Sequence, residues 1–554
     1  MQSCISQIEA TLSNQSKVYT SAQEIFPYNR GTEGIEQIVN KQRNVIAVVK
    51  TTSKEDVHKL IKLANSVVGD DNLNFTIHPI SSGLNWGYGT SQPAGLNAKV
   101  VILDLSSLQN IDFDEDLGLI TLEPGVTQGQ LSQYLIDLGD EYMVPVTGAG
   151  PDCSLVGNAI ERGYGITPGT DHFGAVTAIQ GYWANGDTYC SAVNALDKSK
   201  ECMVDKTFKW GVGPYLEGLF TQSNFGIVTQ MTIRLAKKPQ KFISFIIQIP
   251  NDEDLEFITP VVRRVLRDYE GIVGSINLMD KRRVLSMFAE NPNGGKHSVM
   301  TNEDIDSLTK KLKTPSWTVM GSIYGTQGVA KIVKKEIKTI FSTLKCQQLY
   351  SDDTLITFAS FIINRLPKFA TDSVPFLGLA KKQITSFKKG QEIMLGKPNK
   401  MALKLAYWRH QNASTFDAED LSPGRDGCGL LWYAPLITMK AENVRTFVSF
   451  IREICPKYNI EPLITFTNLK HDCVDSTIPI VFDLSDPLAV IDAHNCLTEL
   501  VNKGLVLGYV PYRLNIHQQQ KLLDPKITFW QTTNAIKSVL DPNNILSVDR
   551  YNPR

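Results

Sequence analysis

The chain has 554 residues, 42% of them hydrophobic and 20% charged, with a formal net charge of -1. That length exceeds what one hydrophobic core organises, so at least two domains are expected, and the composition excludes wholesale disorder. The near-neutral charge removes any general attraction to nucleic acid or to an anionic membrane, and no apolar run reaches the roughly 18 residues needed to span a bilayer.

The opening residues, MQSCISQIEA, have neither a basic stretch nor an apolar stretch of a secretory leader, so a cytoplasmic location is expected. Val45 to Lys50 reads as a buried strand. Ser53 then caps a helix with Asp56 at its third position, and Val57, Leu60, Ile61 and Ala64 share one face. Phe75–Ile80, Val100–Leu105 and Leu119–Leu122 read as further strands. Thr127 with Gln130 forms a capping box for a helix through Leu138, stopped by Gly139. Asn185-Gly186 marks a hairpin turn. After about Pro239 the texture changes to a strand, Phe242–Ile249, and amphipathic helices such as Asp254–Tyr269 and Val329–Leu344. From Gly504 a short strand and a helix near Trp530 close the chain. The expected organisation is α+β in two domains: residues 1–240 bind a nucleotide, 241–503 form a cap, and 504–554 return to the first domain.

Nine cysteines without a CxxC spacing fit free thiols better than a disulfide framework, and no metal site is expected. Residues 365–404 carry nine Lys or Arg against two acids. A solvated or inter-subunit face is the plain reading, and a docking patch for an acidic electron carrier the sharper one.

Four glycine-rich segments carry the chemistry. Pro79–Gly89, PISSGLNWGYG, follows a strand, and its glycines allow successive N–H groups to point into one concavity, as a diphosphate requires. A decorated hairpin turn is the alternative. No GxGxxG opens a helix after the first strand, which disfavours a Rossmann site. Gly148–Gly165 (GAGPDCSLVGNAIERGYG) and Thr167–Gly174 (TPGTDHFG) suggest backbone packed on a flat ligand, and Gly218–Thr229 (GLFTQSNFGIVT) follows.

In order and spacing these segments resemble the vanillyl-alcohol oxidase and para-cresol methylhydroxylase family of FAD enzymes. The likeness continues through GKPNKMALKLAYWR from Gly396, DGCGLLWYAP from Asp426, YVPYRLNIHQ from Tyr509 and LDPNNILSVDRY from Leu540. It implies a two-domain flavoprotein whose cap holds substrate against the flavin. Ser81, Ser82, Gly83, Asn85, Gly87 and Gly89 would lie along the diphosphate. Gly157, Asn158, Gly163, Gly226 and Ile227 would line the cofactor further on, with Arg550 near the flavin. Tyr88, Tyr512 and Arg513 match a phenolate-binding trio, and Asp171 matches an aspartate near flavin N5 that assists hydride transfer. Read without the resemblance, these residues would be a surface Tyr-Arg stack and an Asp-His hairpin contact.

Relatives attach FAD through a histidine or tyrosine just before LLWYAP, or through a histidine in the first loop. Here those places hold Asp426, Gly427, Cys428, Gly429 and Leu430, and Asn85. FAD is therefore expected without a covalent bond, or linked through an unrecognised residue. His471, after the strand LITFTN, has either a pocket or a structural role, and His78 is expected to face away from the flavin. The resemblance implies oxidation of a para-substituted phenol by hydride transfer to flavin N5, with O2 or an electron carrier as acceptor and a homo-oligomeric state. The alternatives are an oxidase of a non-phenolic alcohol, amine or biosynthetic intermediate in which Arg513 grips a carboxylate, a flavin-bearing binding subunit without turnover, and a carbohydrate oxidase.

Overall fold

The computed structural model describes residues 2–39, 43–95, 98–199, 204–352 and 375–552. Its first sheet runs in the order Ser16–Tyr19, Val45–Thr51, Val100–Asp104, Thr76–Ile80, with the last three strands parallel. Parallel strands buried on both faces read as continuous apolar runs, which VIAVVK and VVILD are. The helix Lys54–Ser66 crosses between them, started by Ser53, whose hydroxyl accepts the Asp56 N–H at 3.1 Å. Its Val57, Leu60, Ile61 and Ala64 are fully buried against Ile77, Val101 and Leu103. The predicted capping box is present, with Thr127 and Gln130 bonded reciprocally ahead of the helix Gln128–Asp137.

A second, antiparallel sheet follows the order Ile111–Asp114, Leu119–Leu122, Gly226–Arg234, Val176–Trp183, Thr188–Tyr189. The Asn185-Gly186 turn lies between its last two strands, with Gly186 at φ +95°.

The cap is built on one large sheet, nine-stranded among the described residues. Its hub is Cys473–Asp483, which pairs with Thr465–Asn468, Pro435–Thr438 and Cys428–Tyr433. Helices Leu255–Asp268, Gln327–Phe341, Ala441–Ile454 and Pro487–Val506 contribute to its core, in which Phe245, Trp317, Phe447 and Phe466 are almost wholly buried.

Residue 504, where the return to the first domain is expected, lies within a helix. Helix Pro487–Val506 runs across it, and the strand Val510–Pro511 joins the cap sheet beside Pro435–Thr438. The chain returns to the first domain later, where Ile545–Ser547 lies beside Ile77: the Ile77 N–H donates to Ile545 at 2.7 Å, and the Ser547 N–H donates to Ile77 at 2.8 Å. Side-chain packing, not local pattern, decides this, because an apolar helix serves either domain equally well.

Part of the basic segment 365–404 lies outside the described residues. Within the described part, Lys389 pairs with Glu419, Lys397 with Asp140 at 3.4 Å and Lys400 with Asp152 at 3.4 Å. No helix among the described residues is long and apolar enough to cross a membrane, and none of their His, Cys, Asp and Glu side chains cluster as metal ligands would. The eight described cysteines are free thiols.

Candidate active site

A deep cavity lies between the two domains, walled by the loop after Thr76–Ile80, the segment Thr147–Tyr164, the start of Gly226–Arg234, the cap and the terminal stretch around Ser547. Ser81, Ser82, Gly83, Asn85, Gly157, Asn158, Gly163, Gly226, Ile227 and Arg550 all border it, as do Tyr88, Tyr512 and Arg513. The loop and the segment are locked together: Ser82 Oγ accepts the Ser154 N–H at 3.0 Å, and Ser154 Oγ accepts from Gly157 at 3.0 Å. A Cβ on Gly157 would stand 2.4 Å from Ser81 Oγ, so a side chain there would push the serine hydroxyl from its place.

Gly87 and Gly89 are not among the residues that border the cavity. Gly87, at φ +80°, packs beneath Trp432, where a Cβ would meet the indole at 2.4 Å. Its N–H donates to Thr32 and Glu33, which anchors the loop that presents Tyr88.

Tyr88, Tyr512 and Arg513 converge from different domains. The Arg513 guanidinium lies 4.2 Å from the Tyr88 ring centre and 6.0 Å from that of Tyr512, and its Nη2 donates to Asn85 Oδ1 at 2.7 Å. Burial drives both phenols up, Tyr512 to about 12 and Tyr88 well above its usual value, so both keep their protons at neutral pH. Burial alone would lower Arg513, but Tyr512, Tyr88 and Glu161 outweigh it and hold the guanidinium charged. The cluster is thus two neutral hydroxyls and one cation around a common space, an arrangement that favours an oxyanion.

Asp171 is not part of this group. It is exposed, its carboxylate accepts the Gly174 N–H at 2.8 Å, and it borders a separate groove with Lys209 and His471. The turn of TDHF aims the aspartate outward and its neighbour inward. His172 is buried, and its Nδ1 sits 2.6 Å from the Asn158 amide. Burial lowers its pKa to about 4, so the ring is neutral. His78 is buried away from the cavity, with Nε2 3.2 Å from the Thr90 carbonyl oxygen.

Asp475, on the hub strand, is a carboxyl group whose charge bears on both tyrosines. It is 3% exposed, and one of its oxygens has no partner. The Tyr164 hydroxyl reaches Asp475 and Thr477, and the Tyr164 ring lies 5.6 Å from Tyr512. Burial raises Asp475 to about 7, opposed by the Tyr164 hydrogen bond and by the Arg513 charge. Glu161 is a second carboxylate missed from sequence. It ion-pairs with Arg550 and lies 3.8 Å from Arg513. Only Glu161 had a local sign, two residues before Gly163; Asp475 sits in a buried strand beside Ser476 and Thr477, with no motif to mark it.

These residues fit FAD. The glycine cradle leaves room for a diphosphate, and Arg513 Nε and Arg550 Nε are buried without acceptors, as cations awaiting an anionic or carbonyl-bearing ligand would be. Asp426–Gly429 contribute nothing to the cavity: Asp426 takes the Tyr407 hydroxyl and the Ser422 N–H, and Gly429 packs on Phe482. Among the described residues bordering the cavity there is no histidine.

Comparison with known proteins agrees. Residues 45–187 match a family described as an FAD binding domain. The flavoprotein subunit of 4-cresol dehydrogenase (hydroxylating) of Pseudomonas putida is 25% identical, the match covering 97% of this chain and 93% of that one. A 1'-carboxy-chondrochloren decarboxylase of Chondromyces crocatus is 27% identical over 92% of this chain and 90% of its own. Among solved structures, p-cresol methylhydroxylase with substrate bound superposes with a TM-score of 0.82 at 24% identity, covering 100% of this chain and 96% of that chain. A 4-ethylphenol oxidase from Gulosibacter chungangensis gives 0.84 at 21% identity, covering 100% and 97%.

Proposed function

For a chain that is an FAD-dependent enzyme of the vanillyl-alcohol oxidase and p-cresol methylhydroxylase family, we propose oxidation of a para-substituted phenol at its benzylic carbon. The observation that carries this reading is the convergence of Tyr88, Tyr512 and Arg513 on one space. The clamp binds the substrate as phenolate, which pushes electron density toward the para carbon and makes its benzylic hydrogen hydridic. FAD, held without a covalent bond, supplies the hydride acceptor. The chain's own groups fix the ring, keep the oxyanion, and through Tyr164 give Asp475 a route to the proton released on binding. The cap's Leu403, Leu405, Ala406, Leu430 and Trp432 keep bulk water from the cavity. O2 or a separate electron carrier reoxidises the enzyme, which works as a cytoplasmic homo-oligomer.

Anaerobic titration of the holoenzyme with a panel of 4-alkylphenols tests this. Bleaching of the flavin absorbance by those phenols is expected; bleaching only by hydroxy acids or amines would replace the phenol reading with a non-phenolic oxidase.

One observation favours a second reading: the decarboxylase relative matches at 27% identity over 92% of this chain. If a carboxylate sits on the carbon next to the benzylic one, hydride loss leaves a quinone methide. The C–C bond to that carboxylate then breaks, CO2 leaves, and the bond's electron pair restores the phenolate as a vinylphenol. Labelled CO2 from 3-(4-hydroxyphenyl)propanoate would support this outcome, whereas oxygen from labelled water in the product of 4-ethylphenol would support hydroxylation.

A further inference from the structure

Arg513 and Arg550 arrive at the cavity from distant points in the chain, yet they share one carboxylate. Glu161 caps the end of the short helix Leu155–Ile160, and its side chain is 14% exposed. Its Oε1 takes the ion pair with Arg550, while its Oε2 lies 3.8 Å from Arg513 Nη2, beyond a hydrogen bond. Both arginines have a buried Nε without an acceptor. The other carboxyl group facing Arg513 is Asp475, beside Tyr164, Tyr88 and Tyr512. Two fixed cations therefore face one fixed anion, and the second carboxyl group, Asp475, becomes neutral when it takes the proton released on binding. A carboxylate at a helix C-terminus gains nothing from the helix dipole, so the position is explained by the arginines.

We infer that Glu161 is a counter-ion shared between Arg513 and Arg550, whose bias toward Arg550 leaves Arg513 free for the substrate oxyanion. This rests on the phenol reading and deepens it. When the substrate is phenolate, its charge pairs with Arg513 and Glu161 stays with Arg550. A substrate that has given up its hydride no longer carries the phenolate charge, which a bound FAD would hold instead. Arg513 then has no anion, and Glu161, only 3.8 Å away, takes it up and releases Arg550 toward the newly charged partner. The net charge of the walls does not change in this step; only the pairing does. Glu161 is thus a positioning residue for both guanidinium groups.

The test uses the FAD-loaded enzyme and two readouts other than turnover. One is the pKa of bound 4-chlorophenol, which has no benzylic hydrogen, followed by near-ultraviolet difference absorbance. The other is the flavin midpoint potential. Glu161→Gln removes the negative charge at nearly constant shape, so bound 4-chlorophenol should ionise at least one pH unit lower. Reduction should become about tenfold more favourable, a rise of about 30 mV for a two-electron couple. Glu161→Asp should restore parental values. Should Glu161→Gln not fold, Glu161→Ser carries the same expectations. An unchanged potential and an unchanged ligand pKa in a folded, FAD-loaded variant would overturn the inference, as that is what a purely structural carboxylate gives. If the parental enzyme does not bind 4-chlorophenol, the phenol reading falls, and the potential alone decides Glu161.

Discussion

Arg513→Ala probes the clamp most directly. A free phenol ionises near pH 10, so holding it as phenolate at pH 7 takes about 4 kcal/mol at about 1.4 kcal/mol per unit. A charge-assisted bond from Arg513 supplies about 1.5–3 kcal/mol, and the Tyr88 and Tyr512 hydroxyls about 0.5–1.5 kcal/mol each. Together the three give about 2.5–6 kcal/mol, a range that brackets the requirement, and no single one reaches it. Because burial keeps Tyr512 protonated up to about 12, and Tyr88 higher than usual, the ligand is the group that ionises. Losing the guanidinium should raise the pKa of bound 4-chlorophenol by about 1–2 units and slow flavin reduction by 4-ethylphenol about 10²-fold at pH 7. Stopped-flow reduction and a pH titration of the bound ligand read both effects. Parental rate with parental ligand pKa would refute the clamp. So would parental enzyme that binds phenols only in the neutral form.

Asp475→Asn should flatten the pH dependence of reduction. The parental rate should rise as Asp475 loses its proton around pH 7, and a variant that keeps that rise would exclude it as the proton acceptor. The same group bears on stability: its folded pKa is raised, so the unfolded chain releases the proton first. Stability should therefore fall as pH climbs from about 4 toward 7, a decline that calorimetry should find reduced in the Asn variant. Asp171→Ser should reduce with phenols within about threefold of the parental rate, since the aspartate is exposed and only caps Gly174; a 10²-fold loss would return it to the chemistry. Acid precipitation should leave FAD in the supernatant, and a flavin-bearing peptide in the pellet would show a covalent link.

Local physics made much of the first domain readable in advance. Ser53 and Thr127 announce their helices through short-range hydrogen bonds, and Asn185-Gly186 announces its turn. The tyrosines and Arg513 were found through resemblance, because nothing local distinguishes Tyr512-Arg513 from a surface pair. Asp475 escaped both routes. It lies in a strand buried along nearly its whole length, and its partners Tyr164 and Arg513 come from remote segments. Asp171 shows a different limit: a motif fixes which residues are adjacent, while the turn decides which one is buried, and here that is His172.

The two-residue strand Val510–Pro511 pairs with Pro435 and Leu436, and the Tyr512 N–H donates to the Ala434 oxygen at 3.2 Å. Tyr512 and Arg513 are thus mounted on the cap, while Tyr88 rides on the first domain. A ligand gripped by all three is a bolt through both halves of the molecule. Tight-binding phenols should therefore merge the melting of the two domains into one transition, and a chimera that exchanges caps would take two of the three proposed clamp residues from the donor.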